Sequence, residues 1–244
     1  MSTPSPESAG SPTLAAAAPR PAEDLRPAWR SPVAWVTLIG VFSLGIALDL
    51  ASKTWAFRNV AGQPIELRHE ELAGNTSFRL PWHEGMHVLP WDLLDFRLVV
   101  NHGAVFGIGQ NRREFLVTFT VAAIGVACLV FARWTRARSH LAHVAIALIL
   151  AGGVGNLYDR IVYGAVRDFM HMLPRWNLPF GWRWPGNATS EVFPWVFNVA
   201  DVLLLTGMGL LLLYVHLRDR AEKAAKLASA SGTPTSSEPS ATAG

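Results

Sequence analysis

The chain has 244 residues, of which 50% are hydrophobic and only 16% are charged. Soluble proteins average about 25% charged residues, so this composition favours a membrane protein. The net charge of +3 is too small to indicate nucleic-acid binding, and a single cysteine excludes an intrachain disulfide.

Both ends of the chain have the composition of disordered tails. Residues 1–30 are rich in Ala, Pro and Ser and carry no apolar period, which predicts a disordered N-terminal tail. The first long apolar run starts only after Arg30, and this argues against a cleavable signal peptide. A Ser/Thr/Pro-rich stretch predicts a second disordered tail at 221–244, which leaves 31–220 as the membrane domain.

Four apolar segments lie between the tails, at about 31–50, 115–134, 141–159 and 193–217. Each is close to the roughly 20 residues that span a bilayer as a helix. The first is the shortest, and it opens with a good N-cap, Ser31, and a proline at the first helical position. We therefore predict an all-α integral membrane protein with four transmembrane helices.

Basic residues predict how the segments are oriented. They cluster before the first segment, in the short link between the second and third, and after the fourth, at Arg20, Arg26, Arg30, Arg133, Arg136, Arg138, Arg218, Arg220, Lys223 and Lys226. A chain that crosses four times puts all three places on one side, which the positive-inside tendency makes cytoplasmic. Both termini are then cytoplasmic, and the two long connections are outside.

The first long connection contains strand-like sequence. "QPIEL" at 63–67 and "LLDFRLVV" at 93–100 have the composition of strands, with turn residues at Gly62 and at Gly74. We predict a small extracytoplasmic β element at about 54–110, next to four helices that are otherwise the whole fold.

The same connection contains His83-Glu84-Gly85-Met86-His87, which fits the H-E-x-x-H signature of zinc proteases. That signature functions on a helix, where both imidazoles share one face and the glutamate polarises a metal-bound water. Prolines bracket the stretch and a glycine lies within it, so a helix is not expected here. The zinc protease is kept as an alternative function.

Polar residues stand at the predicted outer ends of three apolar segments. They are Asp49, Lys53, Asn156, Asp159, Arg160, Asn198 and Asp201, with Asp168 shortly after the third segment. Ionisable residues at membrane depth are costly and are candidates for function. Two converging carboxylates share a proton, so that one serves as base toward water and the other as acid. The residues alone leave open which two converge.

At this point four stretches resemble the motifs of one family, the lipoprotein signal peptidases (signal peptidase II). "DLASK" at 49–53 is similar to D-x-x-[ST]-K, and "NHGAVFGI" at 101–108 to N-x-G-A-x-[FW]-G. "GGVGNLYDRIVYGAVRDF" at 152–169 is similar to G-N-x-x-D-R followed by V-V-D-F, and "FNVAD" at 197–201 to F-N-[VIL]-A-D. The four stretches come in the family's order at the ends of the apolar segments.

The resemblance implies a function and a site. Asp168 and Asp201 would be the catalytic pair of an aspartic endopeptidase. The residues that shape the site and bind substrate would be Asp49, Lys53, Asn101, Gly103, Asn156, Asp159, Arg160, Asn198 and Ala200. The substrate would be a prolipoprotein whose cysteine carries diacylglycerol, cleaved just before that cysteine in the bacterial cytoplasmic (inner) membrane. The family uses no metal or cofactor, is inhibited by globomycin and contacts membrane lipids; we expect a monomer.

The sequence departs from the family in several places, among them Ala151, where a glycine is common. Arg167 replaces an apolar residue directly before Asp168, and a positive neighbour is expected to favour the ionised carboxylate. The connections at 54–100 and 170–195 are also long. A rival from another class is a non-enzymatic membrane carrier or lipid-binding scaffold, in which the carboxylates would serve only binding or folding.

Overall fold

The computed structural model describes residues 26–73, 75, 78–103 and 113–231. The helices in these ranges are α1 (Pro32–Asn59), α2 (His69–Leu72), α3 (Arg113–Trp134), α4 (His140–Val162) and α5 (Val199–Ser231). All but the one-turn α2 are long and apolar enough to cross a membrane. The described part of the chain is therefore mostly helical, as predicted, and a small antiparallel sheet accompanies the helices.

Helix α1 begins as predicted and ends later than predicted. The Ser31 side chain accepts a hydrogen bond from the Ala34 amide at 3.3 Å, and Pro32 occupies the first position. The helix continues to Asn59, so α1 is not a short segment that ends near Asp49. Its polar residues Asp49 and Lys53 are fully buried, because they pair with each other and with groups on α4 and α5 inside the bundle.

Helix α5 differs from the predicted segment at both ends. It starts at Val199 rather than near 193, and a short strand precedes it. It continues to Ser231, past the predicted start of the tail at 221, while 232–244 lie outside the described residues. At the other end of the chain, Ala28–Arg30 form a 3-10 turn within the range predicted as tail, and most of that tail also lies outside the described residues.

Helix α4 packs against α1, α3 and α5 and is the centre of the bundle. Glycines permit close approach at the two places nearest the site. A Cβ added at Gly152 would collide with the backbone oxygen of Ala200, and one added at Gly155 would collide with the Asp49 carboxylate. Small residues at helix interfaces serve this purpose in membrane proteins, and here they bring α1 and α5 against the polar end of α4.

The sheet draws on both long connections. Its strands are hydrogen-bonded antiparallel in chain order: β1 (Met86–Leu89), β2 (Leu94–Asn101), β3 (Val166–Met172) and β4 (Val196–Phe197). The prediction of a strand at 93–100 is confirmed by β2, whereas 63–67 forms no strand. The β element predicted at about 54–110 contains β1 and β2, but the sheet extends beyond this range, because β3 and β4 come from the second connection; the first residues of the range belong to α1.

A hydrophobic cluster fixes the sheet to the end of α1. Phe57 and Ala56 of α1 pack with Leu98 of β2 and Phe169 of β3, all of them buried. Phe169 also makes an edge-to-face contact with Phe96, at 5.3 Å between ring centroids. Phe169 directly follows Asp168, so this cluster determines where the Asp168 carboxylate is presented.

Candidate active site

Asp168 lies on β3 and is 1% exposed. Its Oδ2 accepts a hydrogen bond from Asn101 Nδ2 at 2.9 Å, and its Oδ1 accepts one from Asn198 Nδ2 at 2.6 Å. Burial, and next the neighbouring Asp201 carboxylate, raise the pKa of Asp168 to about 8. The carboxyl is thus held by two amides in an environment that retains its proton at neutral pH.

Asp201 lies in the first turn of α5 and exchanges hydrogen bonds with the residue before the helix. The backbone N–H of Asn198 donates to Asp201 Oδ2 at 3.1 Å, and the backbone N–H of Asp201 donates to Asn198 Oδ1 at 3.2 Å. This reciprocal arrangement is a capping box, which satisfies two of the free amides at a helix start. The remaining oxygen, Asp201 Oδ1, accepts from Asn156 Nδ2 at 2.8 Å. The "FNVAD" stretch therefore fixes the second carboxylate by ordinary helix-capping chemistry.

Asparagine side chains connect the two carboxylates. Asn198 Nδ2 donates to Asn156 Oδ1 at 3.1 Å as well as to Asp168, while Asn156 donates to Asp201. Lys53 Nζ donates to the same Asn156 oxygen at 3.0 Å. The amides have donors and acceptors on one group, so they can bridge like charges that would otherwise repel each other.

Both carboxylates face one cavity of about 280 Å³. Asn101, Asn156 and Arg160 line its polar end together with Asp168 and Asp201. The rest of the wall is mostly apolar and comes mainly from α3, α4 and α5. Its members are Leu116, Phe119, Thr120, Ala123, Ile124, Ile149, Leu150, Gly153, Val166 and Leu204. These apolar residues could not be predicted from the sequence, because the membrane-spanning segments are apolar on every face and no signal distinguishes a cavity wall from a lipid-facing surface.

Behind the carboxylates lies a buried ionic network. Lys53 Nζ is 2.9 Å from Asp49 Oδ2 and 3.3 Å from Asp159 Oδ2, and all three side chains are fully buried. Asp49 Oδ1 accepts from the Ala200 amide at 2.9 Å, and Asp159 Oδ1 accepts from Arg167 Nη2 at 2.8 Å. Two cations and two carboxylates alternate, which is the arrangement that buried charges require.

Arg160 secures the chain after β2. Its guanidinium donates to the Gly103 carbonyl at 3.0 Å and to the Asn156 carbonyl at 3.2 Å. The Gly103 amide in turn donates to Asn101 Oδ1 at 2.9 Å, which orients the amide that reaches Asp168. The remainder of the second resembling stretch, 104–108, lies outside the described residues. All the predicted site residues thus gather in one place.

The expectation for Arg167 is wrong. Successive side chains of a strand point to opposite faces, so Arg167 points away from Asp168 and pairs with Asp159. The pKa of Asp168 is raised by burial and next by Asp201, while the hydrogen bonds from Asn101 and Asn198 and the charge of Lys53 oppose this increase.

The H-E-x-x-H stretch does not form a helix. Met86–Leu89 is strand β1, and residues 81–85 have no regular structure. His83 Nε2 accepts from the Leu98 amide at 3.0 Å, while His87 Nδ1 is 2.8 Å from Asp95 Oδ1. The two imidazoles therefore do not share a helical face, and no cluster of three or more metal-ligating side chains occurs in the described residues.

Comparison with known proteins identifies the family. The sequence profile described as "Signal peptidase (SPase) II" matches residues 41–217. The chain belongs to the signal peptidase II family. The lipoprotein signal peptidase of Symbiobacterium thermophilum is 38% identical over 143 residues, which are 58% of this chain and 82% of that protein. The Clostridium tetani lipoprotein signal peptidase is 28% identical over 185 residues, 75% of this chain and 94% of that one.

A solved structure has the same fold. It is described as a bacterial membrane enzyme determined by the in meso method, with a TM-score of 0.54 at 23% identity, covering 77% of this chain and 91% of the other. Membership of this family makes the protein a membrane-located protease that removes signal peptides from lipoprotein precursors.

Proposed function

We propose that Asp168 and Asp201 are the catalytic pair of an aspartic endopeptidase that cleaves prolipoproteins just before a diacylglyceryl-modified cysteine. One observation carries this proposal: the two carboxylates face a common cavity, and one of them has a pKa raised to about 8 by burial and by the other. At neutral pH such a pair holds a single proton, which is the state that aspartic chemistry requires.

The reaction follows from that state. The ionised carboxylate takes a proton from a water molecule. At the same time the water oxygen attacks the carbonyl carbon of the scissile peptide bond. The protonated carboxyl gives its proton to the carbonyl oxygen, and a tetrahedral intermediate forms. Collapse of this intermediate breaks the C–N bond, and the carboxyl that received the water proton passes it to the departing cysteine nitrogen. As the new C=O bond forms, a hydroxyl of the intermediate returns its proton to the other carboxylate, which restores the starting state of the pair. Asn101, Asn156 and Asn198 keep both carboxylates in position throughout.

The apolar wall of the cavity supports a lipid-bearing substrate. Carboxylates and apolar side chains from α3 and α4 meet in one cavity, so a cysteine at its polar end would extend its acyl chains along Leu116, Phe119 and Ile124. Asp49, Lys53, Asp159 and Ala200 hold this site from behind, while Gly103 and Arg160 shape its edge.

The orientation that we propose puts the site near the outer face of the inner membrane and both termini in the cytoplasm. Two contacts support a common end for the basic segments. The Ala28 amide donates to the Thr135 carbonyl at 3.0 Å, and Ser139 Oγ lies 3.0 Å from the Tyr214 hydroxyl. The sheet and the carboxylates belong to the opposite ends of the helices. We further propose that the protein is a monomer that contacts membrane lipids and is inhibited by globomycin.

The test is cleavage of a lipid-modified prolipoprotein peptide by the purified protein, with and without EDTA. We expect Asp168→Asn and Asp201→Asn each to reduce kcat by at least about 10⁴-fold, since groups that act as a unit are lost together. Asp219→Asn is the matched control, because this exposed carboxylate lies toward the far end of α5. Substantial turnover by either site variant, or loss of wild-type turnover in EDTA, would contradict the aspartic mechanism.

A further inference from the structure

The chain has an arginine where the family resemblance leads one to expect an apolar residue, directly before a catalytic aspartate. Arg167 is 5% exposed, and buried arginines are rare unless they are paired. The proposed reaction assigns no step to this residue. Its position therefore requires an explanation from the groups that surround it.

Arg167 grips Asp159 with both its side chain and its backbone. Nη2 and Nε donate to Asp159 Oδ1 at 2.8 and 3.2 Å, and the Arg167 amide donates to Asp159 Oδ2 at 3.0 Å. The guanidinium carbon also lies 4.4 Å from the centroid of the Tyr163 ring, within cation–π distance. Strand β3 is thus fixed to the end of α4 at the residue before Asp168.

The same network reaches the residue before the other aspartate. Asp159 pairs with Lys53, Lys53 pairs with Asp49, and Asp49 accepts from the Ala200 amide at 2.9 Å. Ala200 directly precedes Asp201. A continuous chain of buried contacts therefore connects the backbone before one carboxylate with the backbone before the other.

We infer that Arg167 is a positioning residue, which acts through Asp159 to hold strand β3 so that the Asp168 carboxylate stays aligned with Asp201. This inference rests on the proposed catalytic pair. A displacement of about 1 Å in a catalytic group can cost about 100-fold in rate. A lysine would keep the charge but not the planar fork that the contacts with Asp159 use.

The geometry predicts which kinetic constant changes. The Arg167 side chain lies on the face of β3 opposite to Asp168 and does not line the cavity. Its loss should leave substrate binding intact and misplace the carboxylate, so kcat should fall while KM stays nearly constant. We expect kcat to fall about 10- to 100-fold in Arg167→Met and less in Arg167→Lys, with KM within about threefold of wild type.

The matched control is Arg97→Met, because Arg97 is exposed on the adjacent strand β2. Kinetics would be normalised to the folded fraction, measured by circular dichroism and thermal unfolding in detergent. The double variant Asp159→Asn/Arg167→Met should have a kcat within about threefold of Asp159→Asn alone, since coupled residues are not additive. Multiplicative losses would contradict action through Asp159.

The inference would be overturned if folded Arg167→Met had the kcat of Arg97→Met, or if KM alone increased. It would also fail if the lost activity matched the lost folded fraction, because Arg167 would then be a stabilising residue only. Asp168→Asn in the same assay separates this inference from the proposed function. If Asp168→Asn is active, the proposed catalytic pair is contradicted. If Asp168→Asn is inactive and Arg167→Met is fully active, only the positioning role of Arg167 is contradicted.

Discussion

The positions and the protonation of the two carboxylates depend on the hydrogen bonds that each of them accepts. Each carboxylate of the proposed catalytic pair uses both oxygens to accept from asparagine side chains or from the backbone. These contacts oppose the repulsion between the carboxylates, while burial favours the protonated form. The balance leaves the pKa of Asp168 at about 8, so the protonation state of the pair changes just above neutral pH.

The pH dependence of kcat/KM follows from that value. Below about pH 8 Asp168 keeps its proton, and above this pH the pair loses it and no acid remains. We expect kcat/KM on a lipid-modified peptide to fall as the pH rises through about 8. It should also fall in acid, when the second carboxyl becomes protonated and no base remains.

A variant checks the physical cause. The hydrogen bond from Asn101 lowers the pKa of Asp168, so Asn101→Leu should shift the basic limb of the profile to higher pH. An unchanged basic limb in this variant, with measurable residual activity, would show that Asp168 is not the group that titrates there.

At the scale of elements, the helices were predictable, whereas only strand β2 of the sheet was predicted. Apolar runs long enough to span a bilayer identify α1, α3, α4 and α5, and the Ser31–Pro32 start of α1 is a local signal. The ends of the helices were less predictable. Because they are charged, Asp49 and Lys53 indicate the membrane surface and the end of a helix, but they are buried partners within α1. Strand β3 is held by pairing with β2 and by packing of Phe169 on α1 and β2, and these partners are distant in sequence.

Four stretches that resemble one family predicted which residues lie together at this site, whereas the contacts between those residues could not be predicted. Sequence order cannot show that Arg167 points toward Asp159 rather than toward the adjacent Asp168. That direction follows from the strand alternation of β3, an element that the sequence analysis did not identify. The expectation for Arg167 was therefore wrong because strand β3 had not been predicted.

Close packing of α4 on α1 provides a prediction at this scale. Gly155→Ala would put a methyl group into the Asp49 carboxylate, so it should displace the Asp49–Lys53 pair. We expect the free energy of unfolding to fall by about 1–3 kcal/mol, as for other overpacked interiors, and cleavage to decrease with it. Thermal unfolding in detergent and the peptide assay measure both effects.

Gly125→Ala on α3 is the matched control, because nothing lies within 4 Å of the added methyl group. It should retain the stability and activity of the wild type. Equal behaviour of the two variants would show that the packing of α4 against Asp49 is not as tight as described.

At the scale of the whole molecule, the helices separate two chemistries. One end of the bundle has the sheet and the carboxylates, and the other has the basic segments near Ala28, Thr135 and Tyr214. Anionic headgroups and the positive-inside tendency retain basic segments in the cytoplasm. The lipoprotein precursors that the family processes are exported, so the site is expected at the opposite face.

This arrangement predicts which positions a membrane-impermeant thiol reagent reaches in cells whose outer layers have been opened but whose cytoplasmic membrane is intact. In a Cys128→Ser background, a cysteine replacing Asn187, in the connection between β3 and β4, should be labelled. One replacing Arg138, in the link between α3 and α4, should be labelled only after the membrane is permeabilised. Cleavage activity of each variant confirms that the labelled protein is folded. Labelling of position 138 but not 187 before permeabilisation would show that the orientation is the reverse of the one proposed. The Asp168–Asp201 pair would then be out of reach of exported substrates. A polar site cannot exchange sides of a bilayer, because its buried charges would have to move through the apolar core.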